Sequence, residues 1–195
     1  MIFHRYCLMP GPFKDYNANR RHLCKMFGWW ASFVRNTRLF WKKVVLTPHS
    51  TPSQLSLEIK AATTKLLSVT ISLDTHMDAA GLSSLSQEEL AVHFAECTAV
   101  LAVLASSSPQ WSSLTVVVSC DFFLGLAVTA LTNLRVSELT HFTMGCTFRS
   151  AQGFRYPIDT PKLFRGRAPA LRNLTVFNSP FPWWRRSILA DITDL

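Results

Sequence analysis

Six histidines, five cysteines and one pair of adjacent glutamates are the side chains of this chain best suited to chemistry, and their spacing decides what they could do. His4, His22, His49, His76, His93 and His141 are scattered, and none forms the HExxH pair that would put two imidazoles on one helical face for a metal. Cys7, Cys24, Cys97, Cys120 and Cys146 are odd in number and contain no CxxC pair. No histidine follows them at zinc-finger spacing, so they read as reduced, mostly buried thiols of an intracellular protein. Glu88-Glu89 resembles an acid and base pair, yet Ser86-Gln87 precedes it, and carboxylates in a first helical turn are already explained by the helix dipole. No Gly-rich phosphate loop, GxSxG elbow or Ser/His/Asp arrangement is recognisable. These observations exclude the familiar catalytic constellations. The expectation is a protein that is not an enzyme, with no metal, no cofactor and no small-molecule ligand.

What remains to carry function is surface, and the charge is unevenly distributed. Residues 1–48 hold Arg5, Lys14, Arg20, Arg21, Lys25, Arg35, Arg38, Lys42 and Lys43 against Asp15 alone, which accounts for the whole formal charge of +8. The other residues balance to zero, so a composition break falls near Pro48. In that first segment Trp29, Trp30, Phe33, Phe40 and Trp41 interleave with the cations, a mixture that could bind nucleic acid by phosphate pairing and stacking, or an anionic membrane. Their spacing also suits burial on one helical face with the charges solvated, so nucleic acid is not the expected partner and the binding reading stands as an alternative. The opening MIFHRYCLMPGPF lacks the long apolar run expected of a secretory signal, and the uncharged run Cys97 to Cys120 is split by Ser106-Ser107-Ser108-Pro109-Gln110. No transmembrane segment is expected, and the localisation expected is cytoplasmic or nuclear. With 48% hydrophobic and only 16% charged residues, the chain can bury a core and still leave apolar surface for a partner.

The elements that position this surface follow from periodicity. Leu23, Met26, Phe27, Trp30, Phe33 and Val34 recur at helical spacing and predict a helix over 20–34. Val44-Val45-Leu46 is extended. Thr51 and Pro52 open a second helix, to Ala62, as N-cap and first helical residue. Leu67-Ser-Val-Thr-Ile-Ser-Leu73 alternates with period two, the mark of a half-buried strand. Ser86 with Glu89 forms a capping box before a helix whose Leu90, Phe94, Cys97, Leu101 and Leu104 share a stripe, and Phe122 to Leu134 is a further helix.

From Trp111 onward a pattern repeats: an apolar residue, two free positions, an apolar residue, one free position, an apolar residue. The copies are Trp111-Leu114-Val116, Leu139-Phe142-Met144 and Leu171-Leu174-Val176, with Ile192-Leu195 beginning a fourth. Their ragged spacing lies near the 20 to 29 residues of leucine-rich repeats. Each copy is a short strand that cannot cover its own apolar side chains, so neighbouring copies must lie beside it as parallel rungs. The free positions Thr115, Val117, Thr143, Thr175 and Phe177 are then expected on an exposed concave sheet that binds a partner. The fold class expected is α/β: a short helical segment, 1–48, before an irregular leucine-rich-repeat domain, 49–195, with parallel strands, incomplete at its C-terminus.

Two stretches resemble the F-box and leucine-rich-repeat proteins abundant in mushroom-forming fungi. Leu23 to Val44, with Trp30, Thr37, Phe40 and Trp41 in their relative places, is similar to the family's "VCxxWRxxVxxTPxLWxxI" at the end of the F-box. Leu163-Phe164-Arg-Gly-Arg-Ala168-Pro169-Ala-Leu171-Arg-Asn-Leu174, followed by Pro182-Trp183, is similar to "LFxGxAPxLRxLxLxxxxLPW", and Met1 to Leu8 to "EIFxxCL". The resemblance implies a Skp-type adaptor that links the chain to a cullin–RING ubiquitin ligase, and an unknown protein substrate on the repeats. Ile2, Phe3, Leu8, Leu23, Met26 and Trp30 are the adaptor contacts it implies. The chain departs from the family in lacking the opening "LPPE", in Arg38 where proline is usual, and in Phe27 and Ala31. A gene fragment without independent function is the remaining alternative.

Overall fold

A computed structural model describes residues 22, 24–25, 28–37, 41–47, 50–62, 66–73, 86–119, 121–147 and 163–178. Helix α1 (Gly28–Asn36) leads to strand β1 (Lys43–Leu46). Helix α2 (Pro52–Ala61) and strand β2 (Leu67–Leu73) follow, then helix α3 (Gln87–Ala105) and strand β3 (Trp111–Val118). Helix α4 (Asp121–Thr132), strand β4 (His141–Cys146) and strand β5 (Asn173–Phe177) complete the described elements, with a 3₁₀ turn, Leu163–Gly166, before β5.

Local signals set the helix starts. The Thr51 hydroxyl accepts from the Gln54 amide with Pro52 in the first turn of α2. At α3 the Ser86 hydroxyl accepts from the Glu89 amide while the Glu89 carboxylate accepts from the Ser86 amide at 2.9 Å, the reciprocal capping box. β2 buries Leu67, Val69, Ile71 and Leu73 and leaves the residues between them half-buried, the alternation its sequence predicts.

The five strands form one sheet in the order β1-β2-β3-β4-β5, every neighbouring pair parallel. The segments around Val116, Met144 and Val176 are therefore side by side, with those three residues in register. Lys43–Leu46, on the N-terminal side of the composition break at Pro48, is the first strand of the same sheet. Helix α2 packs on α3, α3 on α4, and the Leu163–Gly166 turn on α4. The described connectors thus form one layer on one face. Beneath them lies a continuous core that includes Val44, Leu46, Val69, Ile71, Leu114, Val116, Phe142 and Met144.

The register also exposes two copies of the triplet that the repeat pattern does not include. Val44, Val69, Leu114, Phe142 and Leu174 are cross-strand partners, as are Leu46, Ile71, Val116, Met144 and Val176. Three residues before each of the first set stand Trp41, Leu66, Trp111, Leu139 and Leu171. All five rungs therefore carry the same triplet, at intervals of 25, 45, 28 and 32 residues. The last three rungs add another shared position one turn earlier, Ser108, Val136 and Ala168, each buried. Hydrogen bonds tie these rungs together at the entry to β4 and β5: the Thr140 amide donates to the Ser112 carbonyl at 2.9 Å and the Arg172 amide to the Thr140 carbonyl at 2.9 Å.

Two helical stripes differ from expectation. Phe33 stands 46% exposed, because Val34 instead turns inward and packs with Val45, Cys24 and Trp41 in a separate small cluster. On α3, Phe94 is also exposed, whereas Val100, Leu101 and Leu104 are buried: the C-terminal half of the helix lies over the core and the N-terminal half overhangs it.

Candidate interaction face

Strand alternation divides the sheet's side chains into two sets. One set meets the helical layer. The other forms three rows across the strands, and these contain every position the repeat pattern assigns to binding. The middle row runs Val45, Thr70, Thr115, Thr143, Thr175, with neighbours in register. The row above it runs Ser72, Val117, Gly145, Phe177, and the row below runs Lys43, Ser68, Ser113, His141, Asn173. Adjacent members are about 4.8 Å apart, the spacing of neighbouring strands.

Thr115, Val117, Thr143, Thr175 and Phe177 are thus brought together on one face. Thr175 is exposed and the other four are half-buried. Of these, Phe177 does not simply project outward. A Cβ built on Gly145 would come within 2.5 Å of the Phe177 ring, so the ring lies across the glycine of the neighbouring strand. The absence of a side chain at Gly145 is what allows this cover.

Sequence reasoning missed Ser68, Thr70, Ser72, Ser113 and Gly145 on the same face. For the β2 residues the signal was present, since the alternation that buries Val69 and Ile71 must turn Ser68, Thr70 and Ser72 to the other side. Ser68 and Ser113 share a hydrogen bond between hydroxyls at 3.2 Å. Ser112 and Ser119 donate to the Leu67 and Leu73 carbonyls at 3.2 Å and 3.3 Å. The described rows from β2 to β5 carry no Asp, Glu, Lys or Arg, and His141 is the titratable residue among them.

The face is bounded on the β1 side. Val45 belongs to the row that faces away from the helical layer, and it is buried by Val34 of α1 together with Trp41 and Cys24. The Trp41 indole N–H donates to the Val34 carbonyl at 2.8 Å, fixing the end of α1 beside β1. Helix α1 therefore covers the start of the sheet on the face opposite α2, α3 and α4.

Of the adaptor contacts implied by the F-box resemblance, Ile2, Phe3, Leu8, Leu23 and Met26 lie outside the described residues. Trp30 lies in α1, and its side chain is not among those described. The fourth triplet, Ile192-Leu195, also lies outside the described residues. Among the described residues no group of three or more His, Cys, Asp and Glu side chains could hold a metal ion. Cys24 and Cys97 are free thiols, and Cys146 is buried. Burial pushes the Cys97 thiol above its ordinary value, and the neighbouring Glu96 carboxylate adds to the shift. Such a thiol is a poor nucleophile at neutral pH. No helix among the described residues is long and apolar enough to cross a membrane.

These features define a mixed α/β chain built on a five-stranded parallel sheet, with α2, α3 and α4 on one face and, on the other, hydroxyl-rich rows bounded by α1. Comparison with protein-family models, with curated proteins and with solved structures found no match to the chain.

Proposed function

We propose that the chain is a non-catalytic scaffold for protein–protein recognition, an irregular leucine-rich-repeat array whose open sheet face holds a protein substrate. The observation that carries this reading is the stacking, in register, of the last two apolar positions of the triplet across all five strands, with the first position also buried in the last three. Such stacking supports a repeat array because each copy gains its cover from its neighbours. The layer of α2, α3 and α4 on one side leaves Thr115, Val117, Thr143, Thr175 and Phe177 on the side where a partner can approach. Through its resemblance to F-box proteins, the N-terminal segment would join this array to a Skp-type adaptor, making the chain a substrate receptor of a ubiquitin ligase.

Capture experiments with the tagged full chain test both parts. Thr175→Arg and, separately, Thr143→Arg place a bulky cation on the open face without touching the core. Proteins retained by the wild-type chain should be lost from both variants while their circular dichroism is unchanged. Identical retention by all three chains would refute the face as the binding surface. Co-expression with a Skp-type adaptor tests the second part. Separate elution of the two proteins, with face-dependent capture intact, would remove the ligase role and leave the scaffold.

A further inference from the structure

On the open sheet face the geometry fixes the hydrogen-bond role of His141. The Thr140 hydroxyl lies 2.9 Å from the Ser112 carbonyl and 2.8 Å from Nδ1 of His141. A carbonyl can only accept, and two oxygens 2.9 Å apart repel unless a proton lies between them, so the single hydroxyl proton of Thr140 goes to Ser112. Nδ1 of His141 therefore carries a hydrogen and donates to the Thr140 oxygen, which leaves Nε2 of the neutral ring with a lone pair. His141 is exposed and stands in register between Ser113 and Asn173. A neutral acceptor is thus held on the face by a relay that ends in the backbone of β3. Its surroundings carry no charge: the row positions on β2 to β5 hold no Asp, Glu, Lys or Arg. Lys43, in the same row as His141, stands at the far end of the sheet on β1. Arg172, next to Asn173 in the chain, turns its guanidinium back onto the Pro169 and Leu171 carbonyls at 3.4 Å and 3.1 Å.

We infer that the open face takes an uncharged segment of its protein partner, with side chains of the serine, threonine, asparagine and glutamine kind, and that His141 selects it by accepting a hydrogen bond at Nε2. The inference rests on the reading of this face as a binding surface and names what that surface accepts. Charge complementarity decides the class of occupant. A carboxylate or phosphate laid across β3, β4 and β5 meets no cation in the rows, and an ammonium meets no carboxylate, so either would lose its water without a counter-charge. That cost is a device against charged competitors. Hydroxyl and amide side chains match the face instead, because Ser113, Thr115, Thr143, Thr175 and Asn173 can each donate and accept. His141 differs from them in that its free nitrogen only accepts while the ring is neutral. A donor must therefore sit opposite it, and a partner group that can only accept is rejected. Thr140 is the positioning residue, since its oxygen holds the ring in this tautomer.

Selection of a displayed random-peptide library on the full chain tests the proposal, and synthetic copies of the enriched peptides give the affinities. The enriched sequences should be uncharged and rich in Ser, Thr, Asn and Gln, and their binding should be lost in Thr143→Arg and in Thr175→Arg. His141→Phe, which removes the acceptor from an exposed position, should weaken them about tenfold, and His141→Gln, which keeps a neutral acceptor, should weaken them less. In mildly alkaline buffer the ring-nitrogen resonances of His141, assigned by their loss in His141→Phe, should show hydrogen on Nδ1, and Thr140→Val should move the ring toward the other tautomer. If Thr140→Val does not fold, the wild-type resonances alone decide the tautomer. Hydrogen on Nε2 in the wild-type chain would overturn the role of His141, as would equal affinity of the peptides for His141→Phe. Enrichment of acidic or basic peptides whose binding is lost in both arginine variants would overturn this inference and leave the face as a binding surface. Enrichment of no peptide, or of peptides held equally by both arginine variants, would overturn this inference too, and the capture experiment above would then decide the face itself.

Discussion

Gly145 and Phe177 meet across two strands, and the pair lets the half-exposed edge strand keep one ring against the sheet. Gly145→Val puts its first carbon where the ring lies, so the ring must swing off the face. The expected cost is about 1 to 3 kcal/mol in urea unfolding, and most of it should vanish in a chain that also carries Phe177→Ala. Additive losses in the double variant would mean that the two residues act separately. Cys97 is a second residue whose surroundings have a measurable consequence. Its thiol is raised above 9.0 in the folded chain, by burial first and by Glu96 second, so the folded state holds the proton more tightly than the unfolded state. The stability this contributes is fully present below the unfolded value and is lost as pH rises through the folded one. Between neutral pH and the alkaline range above 9.0, the wild-type chain should therefore lose stability faster than Cys97→Ser. Parallel urea midpoints for the two chains across that range would show that the thiol's surroundings have no such effect.

At the scale of elements, the starts of α2 and α3 were legible because capping is chemistry between residues two or three apart, as in Thr51 with Gln54 and Ser86 with Glu89. The exposure of Phe33 and Phe94 was not legible, because helical spacing defines a stripe but not how much of it another element covers. In α3, the C-terminal end is where the cover is complete, and a buried relay joins it to β3. The Trp111 indole N–H donates to the Ser107 hydroxyl at 2.9 Å, which donates to the Leu104 carbonyl at 2.7 Å. Trp111 is the first residue of its triplet and is almost fully buried, so its one donor depends on that hydroxyl. Ser107→Ala should strand the indole N–H and lower stability by about 1 to 3 kcal/mol in urea unfolding. Ser107→Thr, which keeps the hydroxyl, should lose less. Equal losses would assign the effect to packing. The turn before β5 is held differently. Phe164 and Arg165 both adopt left-handed backbone angles, with φ of 53° and 56°. Phe164 packs edge-on against Phe142 with ring centroids 5.2 Å apart, and the Arg165 side chain donates to the Asn133 carbonyl just beyond α4 at 2.9 Å. That long-range pairing has no signature in the local sequence.

For the whole molecule, the parallel side-by-side order of β3, β4 and β5 could be read from three triplets, since each needs a neighbour to bury it. The same triplet in β1 and β2 went unread for physical reasons. Leu66 is exposed because the ladder slips between Leu67 and Ser68, which buries Leu67 in its place, and Trp41 joins the cluster beneath α1 instead of the main core. Cover by neighbours also predicts how stability is distributed along the sheet. Val116 and Met144 are fully buried with a strand on each side, whereas every residue of β5 is half-buried or exposed and its one described partner is β4. Opening β5 sacrifices one ladder and part of one rung, while opening β3 divides the core. Native-state hydrogen exchange should therefore find the hydrogen-bonded amides of β3 and β4 exchanging only with global unfolding, and those of β5 exchanging by local opening about tenfold faster or more. Low urea should accelerate the β3 amides steeply and the β5 amides weakly, because local opening exposes less surface. If β5 followed the same urea dependence and rate as β3, the five rungs would behave as one cooperative block, and mutual cover between neighbours would not be what limits the edge.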